Sequence, residues 1–397
     1  MPDAVIVAAA RSPIGRAFKG SMTGIRGDEL TVQIVRAAFA QIPGFDPHTL
    51  DDFIVGCGLP GGEQSFNIGR VVPVLLGLDD VPGVTVNRYC GSSLQSTRMA
   101  AHAIWAGEAT AIVSAGVEVV SRTSATNPDD AALRNPRFAS GGHATSPWGD
   151  PRARGQLPNI HVDMGITAEN VAGMRGISRL EQDEFAFRSQ QRAEIARLEG
   201  FWDRDITPIT LPDGSVIRAD DSPRPSTTME GLANLQPVFR EDGTVTAGNC
   251  CGLNDGAAAL VIMSDSRAAE LGLTPLARIV STAASALSPE IMGLGPVEAS
   301  RRALALAGLT TSDIDQVEIN EAFAAQVIPT YQELGFDLDR VNVNGGAIAV
   351  GHPYGMSGAR ITTTLIHSLQ SRDQQFGLET MCVAGGMGMA MVIERLS

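Results

Sequence analysis

The sequence predicts an α/β protein built from two copies of one βαβ-type unit, with a long insertion interrupting the first copy. Three observations carry this expectation. Strand and helix signals alternate at both ends of the chain, a segment near residue 51 recurs near residue 315, and the texture changes between about residues 121 and 247. Strands separated by helices imply parallel pairing, with helices covering the sheet. The expected organisation is an N-terminal core half over 1–120, an inserted loop domain over 121–247, a return to the N-terminal half over 248–272, and a C-terminal core half over 273–397.

The chain opens on a strand-like run over 4–9, and Asp28 can cap a helix that carries Leu30, Ile34, Val35 and Phe39 on one face. A second strand is expected over 52–57, a short helix over 67–76, and a third strand over 84–87. A helix follows with Leu94, Met99, Ala103 and Ile104 at helical spacing, then a strand over 110–115. From 121 to 247 Pro, Gly, Arg and Asp become frequent, as in Asn127-Pro128-Asp129-Asp130, Ser140-Gly141-Gly142 and Pro151-Arg152-Ala153-Arg154-Gly155. Only one helix, over roughly 179–198, stands out there, so the segment reads as a cover rather than a second core. The run Asn254-Asp255-Gly256-Ala257-Ala258-Ala259-Leu260-Val261-Ile262 returns to a strand pattern.

The last third repeats the first. A helix over 297–307 leads to Ile314-Asp315-Gln316-Val317-Glu318-Ile319, which matches Leu50-Asp51-Asp52-Phe53-Ile54-Val55. Val341-Asn342-Val343-Asn344-Gly345-Gly346 echoes Val86-Asn87-Arg88-Tyr89-Cys90-Gly91, with a helix after each, and strands over 379–383 and 389–393 close the sheet. Two facing copies of one unit put a site between equivalent turns.

Composition narrows the function classes. Hydrophobic residues make up 44% and charged residues 19%, the texture of a well-packed globular protein. A net charge of −14 argues against nucleic acid as a partner. The 30 basic residues include a single lysine, Lys19, and no apolar run reaches membrane-spanning length or looks like a targeting segment. A cytoplasmic protein is the expectation. Cys57, Cys90, Cys250, Cys251 and Cys382 show neither metal-ligand spacing nor a disulfide framework, which leaves reduced thiols available for chemistry. No metal site is expected.

Four turns carry reactive groups. Cys90 sits between a strand and a helix, where unpaired N–H groups favour the thiolate. Asn320-Glu321-Ala322-Phe323 ends a strand with an amide, Gly351-His352-Pro353 puts an imidazole in a glycine-rich loop, and Cys382-Val383-Ala384-Gly385-Gly386-Met387-Gly388 adds a second thiol. Thiol, imidazole and amide are the parts of nucleophilic acyl chemistry. His161 can reach the cleft, while His48, His102, His143 and His367 have no motif around them and read as surface or packing residues.

With these motifs in this order the chain resembles a thiolase along its whole length. Matching stretches also occur at Met164-Gly165-Ile166-Thr167-Ala168-Glu169-Asn170, Thr246-Ala247-Gly248-Asn249, Asn254-Asp255-Gly256-Ala257-Ala258 and Ile291-Met292-Gly293-Leu294-Gly295-Pro296. The resemblance implies a layered α/β/α/β/α core and an acetyl-CoA acyltransferase. Cys90 would be the nucleophile, His352 its base, Asn320 the holder of an oxyanion-site water, and Cys382 a second acid/base whose thiol lies near enough to neutrality to move a proton. The backbone N–H groups of Cys90 and Ala384 would form another oxyanion site.

The resemblance implies no permanently bound cofactor, with coenzyme A as co-substrate and acyl-CoA as partner molecule. Arg224 would contact the nucleotide phosphates. Gln190, Met164, Val238, Phe239, Ala247, Met292 and Phe323 would line the pantetheine channel and acyl pocket, and Cys251 stands where a serine often meets the pantetheine. A homodimer or homotetramer follows, with a β-oxidation multienzyme partner as a further expectation. The family's Cys-x-Ser-Gly is here Cys90-Gly91-Ser92-Ser93, and Ala384 replaces a glycine. Asp163, where short-chain biosynthetic members tend to carry histidine, points to degradative cleavage of 3-ketoacyl-CoA. The alternatives are an acetoacetyl-CoA thiolase condensing two acetyl-CoA and a non-catalytic acyl-CoA-binding subunit.

Overall fold

In the computed structural model residues 2–123, 135–138 and 148–397 are described; the runs 127–130 and 140–142 and His143 lie outside them. The chain begins with β1 (Ala4–Arg11), β2 (Gly15–Arg16), α1 (Gly27–Ala40), β3 (Asp52–Gly56), α2 (Ile68–Leu76), β4 (Gly83–Val86), α3 (Ser92–Ala106) and β5 (Ala111–Val119). Next come α4 (Met164–Arg175), α5 (Arg179–Leu198), α6 (Phe201–Asp205), the small ribbon of β6 (Ile209–Thr210) and β7 (Val216–Ile217), and α7 (Met229–Ala233). Then β8 (Asn254–Ser264) and α8 (Asp265–Glu270) precede β9 (Ala277–Ala286), α9 (Gly295–Ala307), β10 (Gln316–Ile319) and α10 (Ala324–Leu334). A one-turn α11 (Ala347–Val350), α12 (Ser357–Ser371), β11 (Phe376–Val383) and β12 (Met387–Arg395) complete the chain.

One ten-stranded sheet runs β10-β11-β12-β9-β1-β8-β5-β3-β4, with β2 on β8. The internal repeat is visible in its pairing. β3 is parallel to β5 and β5 antiparallel to β8, as β10 is parallel to β11 and β11 antiparallel to β12. The counterpart of β4 is reduced to one parallel bridge between Val317 and Val341. The echo near 341 is therefore followed at once only by α11, and the long second helix waits until Ser357. The intervening loop holds His352.

The two copies meet in the sheet through only two residue pairs, Val5↔Arg278 and Ile6↔Ala277. Such bonds are worth about 1 kcal/mol each. Apolar burial does far more. Leu94 and Ile104 of α3 and Leu365, Ile366 and Leu369 of α12 share one core with Ile6, Ile54, Leu260, Met381 and Met391, and each buried side chain contributes roughly 1.5–3 kcal/mol. On the opposite sheet face α1 covers Phe53, Val55 and Val113, while α9 and α10 cover Val317, Leu378 and Val392. Helices thus lie outside both parts of the sheet, and α3 and α12 pack together on the shared face.

Two local expectations change. Asp28 lies in the first turn of α1 rather than at its cap, where its carboxylate pairs with Arg26 and accepts from the Glu29 N–H at 2.8 Å. Helix α4 is regular structure where a cover poor in it was expected. It has no single apolar stripe because Thr167, Glu169 and Asn170 are buried along with Ala168 and Val171. Glu169 accepts from the Thr244 and Val245 N–H groups at 2.9 and 2.8 Å, so polar ties seat the helix. No helix among the described residues is long and apolar enough to cross a membrane.

Where the ends of β3 and β5 meet α3 and α12, backbones touch. A Cβ on Gly358 would overlap the Leu94 N–H, and one on Gly116 would overlap the Gly355 carbonyl. Gly116→Ala should lower unfolding free energy by roughly 1–3 kcal/mol in a denaturant titration. Gly24→Ala, whose Cβ would meet nothing within 4 Å, should be near neutral in the same measurement.

Candidate active site

The β4–α3 turn presents Cys90 two residues ahead of the first turn of α3. Tyr89 takes a left-handed conformation, φ +43°. The turn is closed by Ser92, whose hydroxyl accepts from the Arg88 N–H at 2.9 Å and donates to the Tyr89 carbonyl at 2.6 Å. Gly91 abuts the β11–β12 hairpin, since a Cβ there would lie 2.9 Å from Val383 Cγ2 and 3.0 Å from Met389 Sδ. That hairpin turns through Gly385 and Gly386, both at φ +78°. It aims the Ala384 N–H at the Cys90 sulfur, alongside the N–H of Cys90 itself.

Helix position alone predicts an acidic Cys90 thiol. Burial instead pushes it up to about 12, and the Ala384 and Cys90 N–H groups offset only part of that. Cys382, at the end of β11, is fully buried and pushed well above the usual thiol range, first by burial and then by the nearby Cys90. The expectation of a near-neutral Cys382 thiol is corrected for the same reason. Desolvation outweighs the dipole.

His352 is buried in the loop before α12, and its imidazole is held on both nitrogens. Nδ1 lies 2.5 Å from Ser357 Oγ, whose hydroxyl donates to the Pro353 carbonyl at 2.9 Å. Ser357 is then left to accept, so the ring proton sits on Nδ1 and Nε2 is free to take one. Asn320 Nδ2 approaches that Nε2 at 3.3 Å, and Asn320 Oδ1, also buried, meets no partner among the described residues. The His352 N–H donates to Asn254 Oδ1 at 2.9 Å. Burial, and then Arg360, lower the imidazole to about 3. The resting site is a neutral thiol and a neutral base.

Three residues without a motif of their own, or with an unread one, hold these turns. Glu118, fully buried at the end of β5, accepts from the N–H groups of Gly58, Leu59 and Gly355 at 2.8, 3.1 and 2.9 Å. It ties the loop after β3 to the histidine loop, and burial pushes its carboxyl up to about 7. Ser93, the departure from Cys-x-Ser-Gly, accepts from the Ala359 N–H at 2.9 Å and so caps α12 from α3. Glu321 accepts from Ser189 Oγ, Asn342 Nδ2 and the Ile348 N–H at 2.6, 2.7 and 3.0 Å, which locks Asn320 against α5 and α11. A buried acid at a strand end was the only available signal, and it is a weak one without its partners.

The expected substrate residues divide into two groups. Gln190, Arg224 and Ala247 line a cavity of about 420 Å³, together with Arg16, Ala17, Phe18, Lys19, Cys250 and Ile348. Gln190 also fixes the chain there by accepting from the Arg224 N–H at 2.8 Å. Met164, Cys251, Met292 and Phe323 instead share one apolar cluster. Phe239 stands over Gly165 and meets Phe323 edge-on at 6.2 Å, while Val238 is exposed. Cys251 lies within electrostatic reach of Cys90 and Cys382 and joins Ala322 through its N–H at 3.0 Å. Among the other histidines, His48 pairs with Asp80 and His367 with Asp205, His102 faces Thr282, and His161 packs on Phe138.

Two family models match the chain: the thiolase N-terminal domain over residues 4–266 and the thiolase C-terminal domain over 273–395. The 3-ketoacyl-CoA thiolase of Bacillus subtilis (strain 168) is 42% identical, across 99% of this chain and 100% of that protein. The acetyl-CoA acetyltransferase of Cupriavidus necator is also 42% identical, across the full length of both. Human mitochondrial 3-ketoacyl-CoA thiolase in complex with CoA superposes with a TM-score of 0.87 at 36% identity, covering 99% of this chain and 98% of that one. This chain belongs to the thiolase family, enzymes that transfer acyl groups and use CoA as a substrate.

Glu118 binds its proton more tightly folded than unfolded, so its contribution to stability falls as pH rises from about 4.5 to about 7. Over that interval the wild-type protein should lose stability relative to Glu118→Gln, read as the difference between two denaturation series. A flat difference would show that the carboxyl titrates as it does in water.

Proposed function

We propose that the chain cleaves 3-ketoacyl-CoA with CoA, giving acetyl-CoA and an acyl-CoA two carbons shorter through an acyl-cysteine intermediate. One observation carries this reading: two thiols, Cys90 and Cys382, lie within electrostatic reach of each other, with the Ala384 N–H of the same hairpin aimed at Cys90. A hydrolase needs one nucleophile and its base. Breaking a carbon–carbon bond also needs an acid that protonates the departing carbanion.

In the proposed reaction Cys90 attacks the 3-keto carbon while His352 Nε2 takes its proton. The oxygen charge that develops is met by the Cys90 and Ala384 N–H groups, which already point at the Cys90 sulfur. The C2–C3 bond breaks, its electron pair passes to the acetyl-CoA enolate, and Cys382 protonates that carbon. His352 and a water on Asn320 hold the enolate oxygen, a role supported by Asn320 Oδ1, which is buried with no partner among the described residues. Free CoA then gives its thiol proton to Cys382 and attacks the thioester, and Cys90 recovers its proton from His352.

CoA would reach the site through the cavity of Gln190, Arg224 and Ala247, under the segment 121–247, with Met164, Val238, Phe239, Cys251, Met292 and Phe323 toward the acyl chain. The same groups run the reverse condensation of two acetyl-CoA, and relatives of equal identity carry either name. Asp163 supports the degradative direction, and with it a place in β-oxidation. Edge strand β4, with Phe66, Leu75, Val84 and Met99 exposed around it, supports a homodimer.

Thiolysis assays with short-, medium- and long-chain 3-ketoacyl-CoAs test the reading. Cys90→Ser should abolish the acyl-enzyme seen by mass spectrometry. Cys382→Ser should keep Cys90 open to an electrophile yet stop turnover, and full activity in either variant would sink the assignment. His352→Ala should cost about 10²–10⁴-fold in kcat/KM. Activity confined to acetoacetyl-CoA would favour the condensing enzyme, and CoA binding with no acyl-enzyme would favour a non-catalytic subunit.

A further inference from the structure

The cavity that Arg224 lines is walled on its other side by Arg16, Ala17, Phe18 and Lys19, which belong to no motif. Arg16, Lys19 and Arg224 make no ion pair among the described residues, and Arg16 Nε is buried there without a hydrogen-bond partner. Lys19 is the only lysine in the chain. In a protein of net charge −14 carboxylates are plentiful, yet none among the described residues pairs with these cations. The carboxylate beside the turn, Asp221, is taken up by the backbone: its Oδ2 accepts from the Arg16 and Ser21 N–H groups at 2.9 and 2.8 Å.

Phe18 stands between the cations in a conformation its side chain disfavours. Its φ is +66° and the residue is 59% exposed. The surroundings impose that geometry: the Phe18 N–H donates to Ser121 Oγ at 2.7 Å, Ser121 donates to Asp255 at 2.5 Å, and the Gly20 N–H closes on the Arg16 carbonyl at 2.7 Å. Strain that several partners hold in place is a ground for asking what function it serves. A rigid aromatic face flanked by uncompensated cations suits a base carrying several phosphates, with the ring stacking and the cations taking the charge.

We propose that the turn over residues 16–20 is a clamp for the adenosine 3′,5′-diphosphate end of CoA, with Phe18 on the adenine face and Arg16 and Lys19 joining Arg224 on the phosphates. The proposal rests on the thiolase reading for its ligand. It adds that the chain separates CoA from carriers that present the same pantetheine thiol without the nucleotide.

Calorimetry of the full chain with adenosine 3′,5′-diphosphate tests the clamp independently of turnover. The parent should bind, and the Arg16→Ala/Lys19→Ala double variant should bind about tenfold more weakly or worse. Phe18→Gly should melt no lower than the parent, because glycine accepts that φ, yet should bind the nucleotide several-fold more weakly. In thiolysis the double variant should raise KM for CoA and leave KM for pantetheine unchanged. No binding by the parent, binding by the variants equal to the parent, or an equal rise in the two KM values would each overturn the clamp. If no 3-ketoacyl-CoA is cleaved, the functional reading fails while the calorimetry still decides the clamp.

Discussion

The site depends on the close approach of two helix N-termini from the two copies of the repeat. Gly358 of α12 lies against the Leu94 backbone of α3, and Ser93 of α3 caps the Ala359 N–H of α12. Two positive helix ends brought together repel unless negative groups meet them. Glu118, when ionised, supplies one, and it ties the loop after β3 to the loop between His352 and α12 through three backbone N–H groups. The oxygen that becomes negative during acyl transfer would supply another at the moment of reaction. The geometry that packs the halves together therefore also prepares the site for charge.

Burial sets the resting protonation of every group there. The Cys90 and Cys382 thiols are pushed up, the His352 imidazole is pushed down, and the Glu118 carboxyl is raised. In the proposed reaction charge would therefore appear only as bonds change. The same principle extends beneath the histidine. Glu318 and Glu379 are register partners on β10 and β11, both pushed up to about 8 by burial, with Arg360 of α12 nearby lowering them. These two buried carboxyls are held toward the neutral form, whereas buried Arg11 and Asp205 stay charged by pairing with each other.

Much of this is legible in the amino-acid sequence. Strands β1, β3, β4 and β5 follow from short apolar runs bounded by turns, and the match of the 50–55 and 314–319 segments anticipates the equivalent places of β3 and β10. What periodicity missed has a common cause. Helix α4 hides its buried face among Thr167, Glu169 and Asn170, whose polar groups are satisfied by residues far along the chain.

The sequence by itself determined the class of fold and the order of the four turns proposed to carry the chemistry, because hydrophobic period and turn chemistry are properties of neighbouring residues. Only the tertiary structure decided the protonation of Cys90, the tautomer of His352, the use of Glu118, Ser93 and Glu321, and the cationic wall around Phe18. Those depend on desolvation and on partners brought from distant segments, and neither quantity is written in any local pattern.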